Sequence, residues 1–429
     1  MKIGIHSVSS QSGRAFLVDM VEQGHSVYGY ARPSENGTCF VEAIQQQRGI
    51  YLERPENEQH EMSHLVQLGP KDVGHDLQAL IADADVIILA HPSHFTQSSI
   101  KQLADAGIKN KRIPIILSPS RTFAVPYLWS ILGEDYPFVC FSTNPYSCKA
   151  PSAGSVYIKR RKRSWLVSLE GAFTKEQIAN IQSLFPQALL NTLPATTSIG
   201  NIGAIFHPAA YLLNYDAIKD AESKGEGYSF YMEGIFGNKK VTAHLEAIDQ
   251  IRLTIAKILG LNVFGLKDQP NDERFQEIMN HLRDKEEEID DIDQLRQVRH
   301  DYLREINDSI LSAQHWLAYT YDVKRDPKET LGETIGRTKT YQQRSVPQSR
   351  YVEEDVPTGL VPLAAIGERL GLDVTPIKDI LALYFRYYRR IETDDWRDLV
   401  DFPTDYIIRY LSGDCFKIVE PDRELEVVS

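Results

Sequence analysis

The N-terminal segment limits the fold of this chain more than any other part. A short apolar strand at residues 2–5 leads into a polar loop, and residues 14–23 then place apolar side chains at helical spacing. Gly24 ends this helix, and a second strand follows at residues 26–31. Because a strand, a tight loop, a helix and a strand of this length form a dinucleotide-binding unit, the sequence predicts a Rossmann-type, doubly wound parallel sheet.

The loop of this unit departs from the Gly-x-Gly-x-x-Gly pattern that usually holds a dinucleotide phosphate. One alignment places small residues at Ser7, Ser9 and Ser12, and the other uses Ser10 and Gly13 after one inserted residue. A serine hydroxyl can donate to a phosphate, although serine gives up the close backbone approach and the positive φ that glycine allows. We therefore expect Ser9, Ser10, Ser12 and Gly13 to contact the cofactor, with both alignments open.

The residue at the end of the second strand indicates which cofactor binds. An acidic side chain there would accept hydrogen bonds from the ribose hydroxyls of NAD, but this chain has Arg32, followed by Pro33 and Ser34. A guanidinium group suits a 2′-phosphate, so Arg32 and Ser34 predict NADPH, with NADH as the less favoured cofactor. The alternative is an arginine that is simply exposed on a loop.

Two later strands end in loops that could also reach a bound dinucleotide. Residues 85–90 and 113–117 are nearly continuous apolar runs, as in parallel strands that are buried on both faces. Pro92 and His94 follow the first run, and Arg121 follows the second. A dinucleotide binds at the carboxyl ends of such strands, so these three residues are further predicted cofactor contacts, although plain connections would look the same.

A basic cluster at residues 159–163 lies between two short apparent strands, 156–158 and 165–169. A nucleic-acid or membrane site is conceivable for such a cluster. In a chain with a net charge of −12, a solvated hairpin turn is the better interpretation, and we assign the cluster no function.

The length of 429 residues predicts two domains, since a single core rarely grows so large. From about residue 192 the apolar spacing becomes helical, for example at residues 241–259 and 377–388. The predicted division is therefore an α/β dinucleotide-binding domain at residues 1–191 and a mostly α-helical domain at residues 192–429.

Composition and charge exclude several classes of function. The negative net charge argues against a general nucleic-acid binder. The four cysteines are scattered without zinc-ligand spacing, which predicts reduced thiols and no metal site. The sequence shows neither a signal-like leader nor an apolar run long enough to span a bilayer, so we expect a soluble cytoplasmic protein.

One apolar segment, residues 201–214, carries a histidine directly before a proline. Pro208 suits the first turn of a helix, which predicts that His207 lies at the helix start, near its positive end. A partly buried imidazole there would be suited to proton transfer near neutral pH. The alternative is a core histidine that is hydrogen-bonded to a backbone carbonyl.

A second segment, residues 349–362, carries an arginine and a run of carboxylates before a proline. Arg350 could hold a substrate carboxylate, and Asp355 could partner a histidine. Helix capping and interaction with the helix dipole would explain the same carboxylates without any catalytic role.

Together these segments resemble the opine dehydrogenases of the octopine and nopaline type. Residues 205–208, Ile-Phe-His-Pro, look like that family's His-Pro signature. Residues 350–357 are similar to its Arg-Tyr-x-x-Glu-Asp-x-Pro signature. Gly203 departs from the family, which often has a second asparagine before the histidine.

The resemblance extends into the first domain and runs from the first strand to about residue 376. Residues 119–122 and 144–149 resemble two of the family's loops after the later strands. Ser120 stands where the family usually has glycine, and Lys149 stands where it usually has arginine.

The resemblance implies roles for individual residues. It makes His207 the general acid and base, Asp355 the carboxylate that orients it, and Arg350 the anchor for a substrate carboxylate. Further substrate contacts that the resemblance implies by position are Asn201, Tyr146 and Lys149.

The resemblance also implies a reaction. The family joins the amino group of an amino acid to a 2-oxo acid, such as pyruvate or 2-oxoglutarate, as an imine, and reduces that imine with a nicotinamide hydride. The chain length and the long charged helices are similar to those of the metallophore-making branch, the staphylopine and pseudopaline dehydrogenases. The expected partners are thus a small amine and a 2-oxo acid, without nucleic acid or membrane, and a homodimer is possible.

Two other interpretations stay open at this stage. One is a different NADP-linked dehydrogenase that acts on a ketone or hydroxy acid, since the same histidine and arginine could serve it. The other is a nucleotide-binding protein with degraded catalysis, which the serine-rich loop would permit.

Overall fold

The computed structural model describes most of the chain, with gaps concentrated in the second half. The described residues are 1–55, 63–162, 164–265, 272–289, 291, 294, 297–298, 301, 306, 309–321, 323–324, 326, 328–346, 350–388 and 395–420. The side chains of Asp272 and Arg350 also lie outside the described part.

The strands of the described residues are numbered in chain order. They are β1 (Lys2–His6), β2 (Ser26–Tyr30), β3 (Gly49–Glu53), β4 (His64–Gln67), β5 (Val73–Gly74), β6 (Val86–Leu89), β7 (Ile115–Leu117), β8 (Phe138–Phe141), β9 (Tyr146–Lys149), β10 (Ser155–Arg161), β11 (Trp165–Phe173), β12 (Ala188–Asn191), β13 (Asn262–Phe264), β14 (Ser309–Leu311) and β15 (Phe416–Ile418).

The α-helices of the described residues are numbered in the same way. They are α1 (Gln11–Glu22), α2 (Glu35–Gln47), α3 (Leu77–Ala82), α4 (Thr96–Asp105), α5 (Ala124–Leu132), α6 (Lys175–Leu184), α7 (Pro194–Ser198), α8 (Gly203–Leu213), α9 (Tyr215–Lys224), α10 (Lys239–Ile258), α11 (Asp272–Glu288), α12 (Ala313–Tyr321), α13 (Leu331–Arg337), α14 (Arg350–Asp355), α15 (Val361–Arg369), α16 (Thr375–Tyr388) and α17 (Thr404–Leu411).

The main sheet has the strand order β12-β11-β8-β7-β6-β1-β2-β5. The six strands from β8 to β5 in this order pair in parallel, and β11 runs antiparallel to β8. This confirms the predicted α/β class and its Rossmann-type sheet. The carboxyl ends of the parallel strands share one edge, which is where such sheets bind their ligands.

The apolar runs of the parallel strands are explained by two cores on opposite faces. Along β6, Ile87 and Leu89 belong to a core that continues into the helices of the second half. Ile88 belongs to the other core, which lies against α1 and α2. Because alternate side chains of a strand point to opposite faces, a strand between two cores must be apolar throughout.

The predicted hairpin turn at residues 159–163 is wrong. Residues 159–161 belong to β10, which pairs with β9 and β3 in a separate sheet of order β4-β3-β10-β9, and Arg163 lies outside the described residues. Arg161 Nε donates to Asp19 Oδ2 at 2.9 Å, and the Arg160 guanidinium lies 5.6 Å from the Tyr321 ring centre. Because these cations have protein partners, they do not need the solvent of a turn.

The second half is mostly helical, as predicted, and it also contributes strands. β13 and β14 pair in parallel with each other. β15 returns to the main sheet and pairs with β11, so the region from residue 192 onward is not confined to the helical layer. Among the described residues, every helix is too short or too polar to cross a bilayer.

Candidate active site

His207 and Asp355, which lie far apart in sequence, form a hydrogen-bonded pair. His207 Nδ1 lies 2.7 Å from Asp355 Oδ2. The Asp355 side chain is completely buried, whereas 18% of the His207 side chain is exposed. Because an ionised carboxylate can only accept, Nδ1 donates, and Nε2 is the atom left to exchange a proton with a substrate. The Tyr351 ring, 4.3 Å from the imidazole between centroids, packs against it.

Neither residue lies at a helix start, although Pro208 had predicted one for His207 and helix capping was the alternative role for Asp355. α8 begins at Gly203, so His207 and Pro208 lie inside the helix. Asp355 ends α14, and the helical backbone continues through a π-helical segment, Val356–Leu360, into α15. The residues between Gly203 and His207 are buried in the core, and this burial stabilises a helical turn before the proline despite one lost backbone hydrogen bond.

Arg121, from the loop after β7, links this pair to the main sheet. Its Nη1 lies 3.1 Å from Asp355 Oδ1 and donates to Asn201 Oδ1 at 3.0 Å. Its Nε donates to Glu354 Oε1 at 3.3 Å. Burial disfavours the charged form of Arg121, but Asp355 and Glu354 outweigh it and raise the pKa of Arg121. The predicted cofactor contact Arg121 and the predicted substrate contact Asn201 thus lie against the carboxylates beside His207.

Two glycines make room for these contacts. A Cβ on Gly203 would lie 2.4 Å from Arg121 Nη1, so any other residue would displace the guanidinium. A Cβ on Gly359 would lie 2.6 Å from the Cβ of Ala204, where the π-helical segment crosses α8. The guanidinium therefore explains why this chain has Gly203 where the resemblance had suggested an asparagine.

Glu354 ties the helical region to the loop after β6, and sequence reasoning assigned no role to it or to Ser93. Glu354 Oε1 accepts hydrogen bonds from the backbone N and the Oγ of Ser93, each at 3.0 Å. Burial alone would raise the pKa of Glu354, but Arg121 and the Ser93 donors lower it to about 2. The one available signal was the position of Glu354 beside Asp355 in the family-like signature.

The loop between β1 and α1 follows the second of the two alignments. Ser7 has a φ of 61°, the left-handed conformation that the first glycine of the pattern usually supplies. Ser10 caps α1 and accepts a hydrogen bond from the Gly13 backbone N at 2.9 Å. A Cβ on Gly13 would lie 2.5 Å from Ser7 O, so only glycine fits there. This close approach and the N-terminus of α1 fit the pyrophosphate of a dinucleotide.

The side chains of Arg14 and Asn144 hold this loop in place through hydrogen bonds. Arg14 is buried; its Nε donates to Ser9 O at 3.1 Å, and its Nη1 donates to Ser155 O at 2.9 Å. Asn144, which follows β8, donates from Nδ2 to Ser12 Oγ. The predicted cofactor residues Ser9 and Ser12 thus lie in a loop that is fixed by neighbouring elements.

Arg32 lies at the end of β2, and its exposed guanidinium is 5.9 Å from the Phe95 ring centre. Ser34 caps α2 and accepts a hydrogen bond from the Gly37 backbone N at 3.3 Å. A Cβ on Gly37 would lie 2.0 Å from Arg32 O. An anion at this point would meet both a guanidinium group and a helix N-terminus, which is the environment a 2′-phosphate requires.

Pro92 and His94 lie on the same side of the sheet edge as Arg32. Pro92 precedes the short 3₁₀ segment Ser93–Phe95, and the His94 ring lies 4.0 Å from the Phe95 ring between centroids. Burial lowers the pKa of His94 although carboxylates nearby, with Glu354 first, favour its charged form. Both residues are therefore at the predicted dinucleotide edge.

Two predicted substrate contacts, Tyr146 and Lys149, are not brought to His207, and a third, Arg350, is not described at its side chain. The predicted loop at residues 144–149 contains β9, and strand alternation turns Tyr146 into the core, where its ring lies 4.9 Å from Phe16. Burial and the neighbouring Asp19 raise the pKa of Tyr146. Lys149 is exposed at the far end of β9. Arg350 begins α14, but its side chain lies outside the described residues.

Lys162, in the basic cluster that sequence reasoning set aside, lies at the ligand edge of the sheet. Its Nζ donates to Thr143 Oγ1 at 2.6 Å, and its backbone N donates to Pro145 O at 2.8 Å. Burial, then Arg160 and Arg121, lower the pKa of Lys162 to about 7. No sequence pattern separates this lysine from the exposed basic residues around it.

Comparison with known proteins gives relatives over most of the chain. A family model described as NAD/NADP octopine/nopaline dehydrogenase, alpha-helical domain, matches residues 194–300 and 290–387. An opine dehydrogenase of Arthrobacter sp. (strain 1C) is 23% identical over 379 residues, which cover 86% of this chain and 86% of the relative.

Solved structures show the same fold. Octopine dehydrogenase in complex with NADH and agmatine is 16% identical, with a TM-score of 0.67 and coverage of 97% of this chain and 98% of that chain. Yersinopine dehydrogenase with bound NADP⁺ is 15% identical, with a TM-score of 0.55 and coverage of 96% and 95%. Residues 194–387 thus match the helical domain of the octopine/nopaline dehydrogenases, and the comparisons together support the opine dehydrogenase family, whose members are NAD(P)H-dependent oxidoreductases that act on CH–NH bonds.

Proposed function

We propose that this chain is an NADPH-preferring opine dehydrogenase that condenses an amine with a 2-oxo acid and reduces the resulting imine. Condensation forms a C=N bond and releases water, and reduction then adds a hydride to carbon and a proton to nitrogen. The observation that carries the proposal is the His207–Asp355 pair, held by Arg121 at the carboxyl ends of the parallel strands. In this arrangement a proton donor lies beside a dinucleotide-binding sheet.

The cofactor would be held by the loop after β1 and by the end of β2. Ser10 and Gly13 would hold the pyrophosphate at the N-terminus of α1, and Arg32 with Ser34 would hold a 2′-phosphate. When it is bound, the nicotinamide supplies the hydride. Because octopine dehydrogenase is described with NADH and yersinopine dehydrogenase with NADP⁺, the fold accepts either cofactor, and Arg32 is the residue that favours NADPH here.

His207 would hold and deliver the proton. An imine accepts a hydride more readily once its nitrogen is protonated, and His207 Nε2 is the atom placed to protonate it. The same atom can take a proton from the attacking amine while the C–N bond forms. One general acid and base can therefore serve both condensation and reduction.

Asp355 and Arg121 would act through His207. Asp355 fixes the proton on Nδ1 and stabilises the imidazolium form that follows proton uptake. Arg121 fixes Asp355 in turn, because its guanidinium lies 3.1 Å from Asp355 Oδ1. Both are positioning residues, and so is Asn201, whose side-chain oxygen accepts from Arg121.

The proposed substrates are a primary amine and a 2-oxo acid, with Arg350 as one carboxylate anchor. Arg350 begins the helix that ends at Asp355, so an anchored substrate would lie close to the catalytic pair. A bulky amine with several carboxylates would make the product an opine metallophore, and we include such a product in the proposal.

A turnover assay with NADPH tests this function directly. The panel combines pyruvate or 2-oxoglutarate with amino acids and with bulkier polycarboxylate amines. We expect NADPH oxidation that requires both substrates, a product containing both carbon skeletons, and loss of turnover in His207→Ala. Oxidation of NADPH by the 2-oxo acid alone would instead identify a hydroxy-acid dehydrogenase. NADPH binding without turnover of any pair would identify a nucleotide-binding protein that lacks this catalysis.

A further inference from the structure

Lys162 is a cation that the described residues hold in place but do not neutralise. Its Nζ donates to the Thr143 hydroxyl at 2.6 Å, and its backbone N donates to Pro145 O. The side chain is only partly exposed. Among the residues that the structure describes, no carboxylate forms an ion pair with it.

The two residues before Lys162, at the end of β10, show how the protein pairs other cations. Arg161 binds Asp19 through both carboxylate oxygens. The guanidinium of Arg160 lies over the Tyr321 ring. For Lys162, next along the chain, the charged neighbours among the described residues are the cations Arg160 and Arg121, which add to burial in lowering its pKa. A buried cation without a counter-ion costs stability unless a ligand supplies the negative charge.

The position of Lys162 places it at the active-site edge of the main sheet. Its partner Thr143 follows β8, as Arg121 follows β7, and these strands are parallel neighbours. Arg121 in turn contacts Asp355, the partner of His207. On the other side, Asn144 contacts Ser12 in the phosphate loop. Lys162 therefore lies between the cofactor loop and the catalytic pair.

We propose that Lys162 binds the carboxylate of the 2-oxo acid, with Thr143 positioning its ammonium group. The inference rests on the proposed function and adds to it a second carboxylate anchor, separate from Arg350. A substrate carboxylate would be the counter-ion that the described residues do not provide. Two anchors on different elements would let the amine donor and the oxo acid be recognised independently, and both would be held near His207.

The kinetic test uses Lys162→Met, Lys162→Arg and the control Lys159→Met, whose side chain is exposed on β10. For Lys162→Met we expect the KM for pyruvate or 2-oxoglutarate to rise about 10- to 100-fold, the range for a lost charged hydrogen bond. The KM for the amine and the Kd for NADPH should change little. Lys162→Arg should recover part of the loss, and Lys159→Met should match the unmutated protein.

A second test needs no substitution. Because the pKa of Lys162 is about 7, the lysine loses its charge as the pH rises through neutrality, and the KM for the oxo acid should rise above pH 7. Among the described residues, Arg160 and Arg121 are the charged groups that act on the ammonium group, which donates to the Thr143 hydroxyl. Lys162→Arg should remove this rise, because arginine stays charged. A purely structural lysine would not link oxo-acid affinity to pH in this way.

Several results would overturn the inference. An unchanged KM for the oxo acid in Lys162→Met would do so, as would a rise confined to the amine. A loss of NADPH affinity alone would assign Lys162 to the cofactor. If no substrate pair turns over, the proposed function fails. Calorimetric titration of pyruvate and 2-oxoglutarate into the protein with NADP⁺ then tests whether Lys162 binds a carboxylate. Equal affinities for unmutated protein and Lys162→Met would contradict a carboxylate site, and a 10-fold or greater loss would support it.

Discussion

Arg121 and Lys162 are two cations at the ligand edge of the main sheet, yet their surroundings are opposite. Arg121 lies against Asp355 and Glu354, and its pKa is raised despite burial. Lys162 has a single hydroxyl partner among the described residues, and its pKa is lowered to about 7. Among the described residues, Arg121 has carboxylate counter-ions and Lys162 has none. A neutralised cation supports the architecture, and one that lacks a counter-ion is suited to a ligand.

The largest effect should come from removing the neutralised cation. Arg121→Met removes the cation that contacts both buried carboxylates, Asp355 and Glu354, which should cost about 3–5 kcal/mol of unfolding free energy. Urea unfolding at pH 7 measures this loss, and Lys162→Met is the matched control, for which we expect none. Equal losses of unfolding free energy in Arg121→Met and Lys162→Met would contradict the conclusion that carboxylates neutralise Arg121 but not Lys162.

A smaller change should disturb Arg121 without removing its charge. A Cβ on Gly203 would lie 2.4 Å from Arg121 Nη1, so Gly203→Ala must move the guanidinium away from Asp355. We expect about 1–3 kcal/mol of lost stability and a lower kcat, with NADPH affinity retained. Gly227→Ala is the control, because no atom lies within 4 Å of a Cβ there. A fully active Gly203→Ala would mean that the contact between Arg121 and Asp355 is not needed.

Arg32 extends the comparison to a third cation, which is exposed and lies beside a helix N-terminus. If Arg32 also binds an anionic ligand, that ligand should be the 2′-phosphate that distinguishes NADPH from NADH. Arg32→Ala should narrow the difference in binding free energy between the two cofactors by about 1–3 kcal/mol. Fluorescence titration with each cofactor measures it, and equal Kd values in the unmutated protein would refute the preference for NADPH.

The smallest expected effect concerns the stability of the ligand-free protein. The folded-state pKa of Lys162, about 7, lies below that of an unfolded lysine, so the unfolded state binds more protons between these values. The destabilisation by Lys162 is therefore full below pH 7 and fades as the pH rises. Lys162→Met should gain up to about 1 kcal/mol near pH 6 and nothing near pH 10. A loss of stability at pH 6 would show that the charge is already balanced.

The parts of the fold that follow from local patterns were predictable. The strand, loop, helix and strand at the N-terminus and the apolar run of β6 predicted a parallel sheet, because burial on both faces permits few polar residues. The resemblance to a family singled out His207 and Asp355, which the structure brings within 2.7 Å of each other. Residues that are distant in sequence can be paired in this way only when a signature names both.

Other features depended on packing that no local pattern reports. Pro208 suggested a helix start, but the buried residues before it extend α8 by about a turn. Tyr146 was assigned to a loop, but it lies in β9 and alternation points its ring into the core. Lys162 was hidden in a basic run, because adjacent residues of the run reach different partners. The proposed role of Lys162 depends on which element of the fold lies beside it, and the sequence alone does not show which element this is.

The central claim is that His207 and Asp355 act as one catalytic unit, and a double-mutant cycle tests it most directly. We expect kcat to fall by about 10² or more in His207→Ala and in Asp355→Ala. His207→Ala with Asp355→Ala should cost little more than the worse single change, because Asp355 has no separate task without the imidazole. NADPH titration should show that all three variants bind the cofactor. Losses that add in the double variant, or full activity in His207→Ala, would contradict the account.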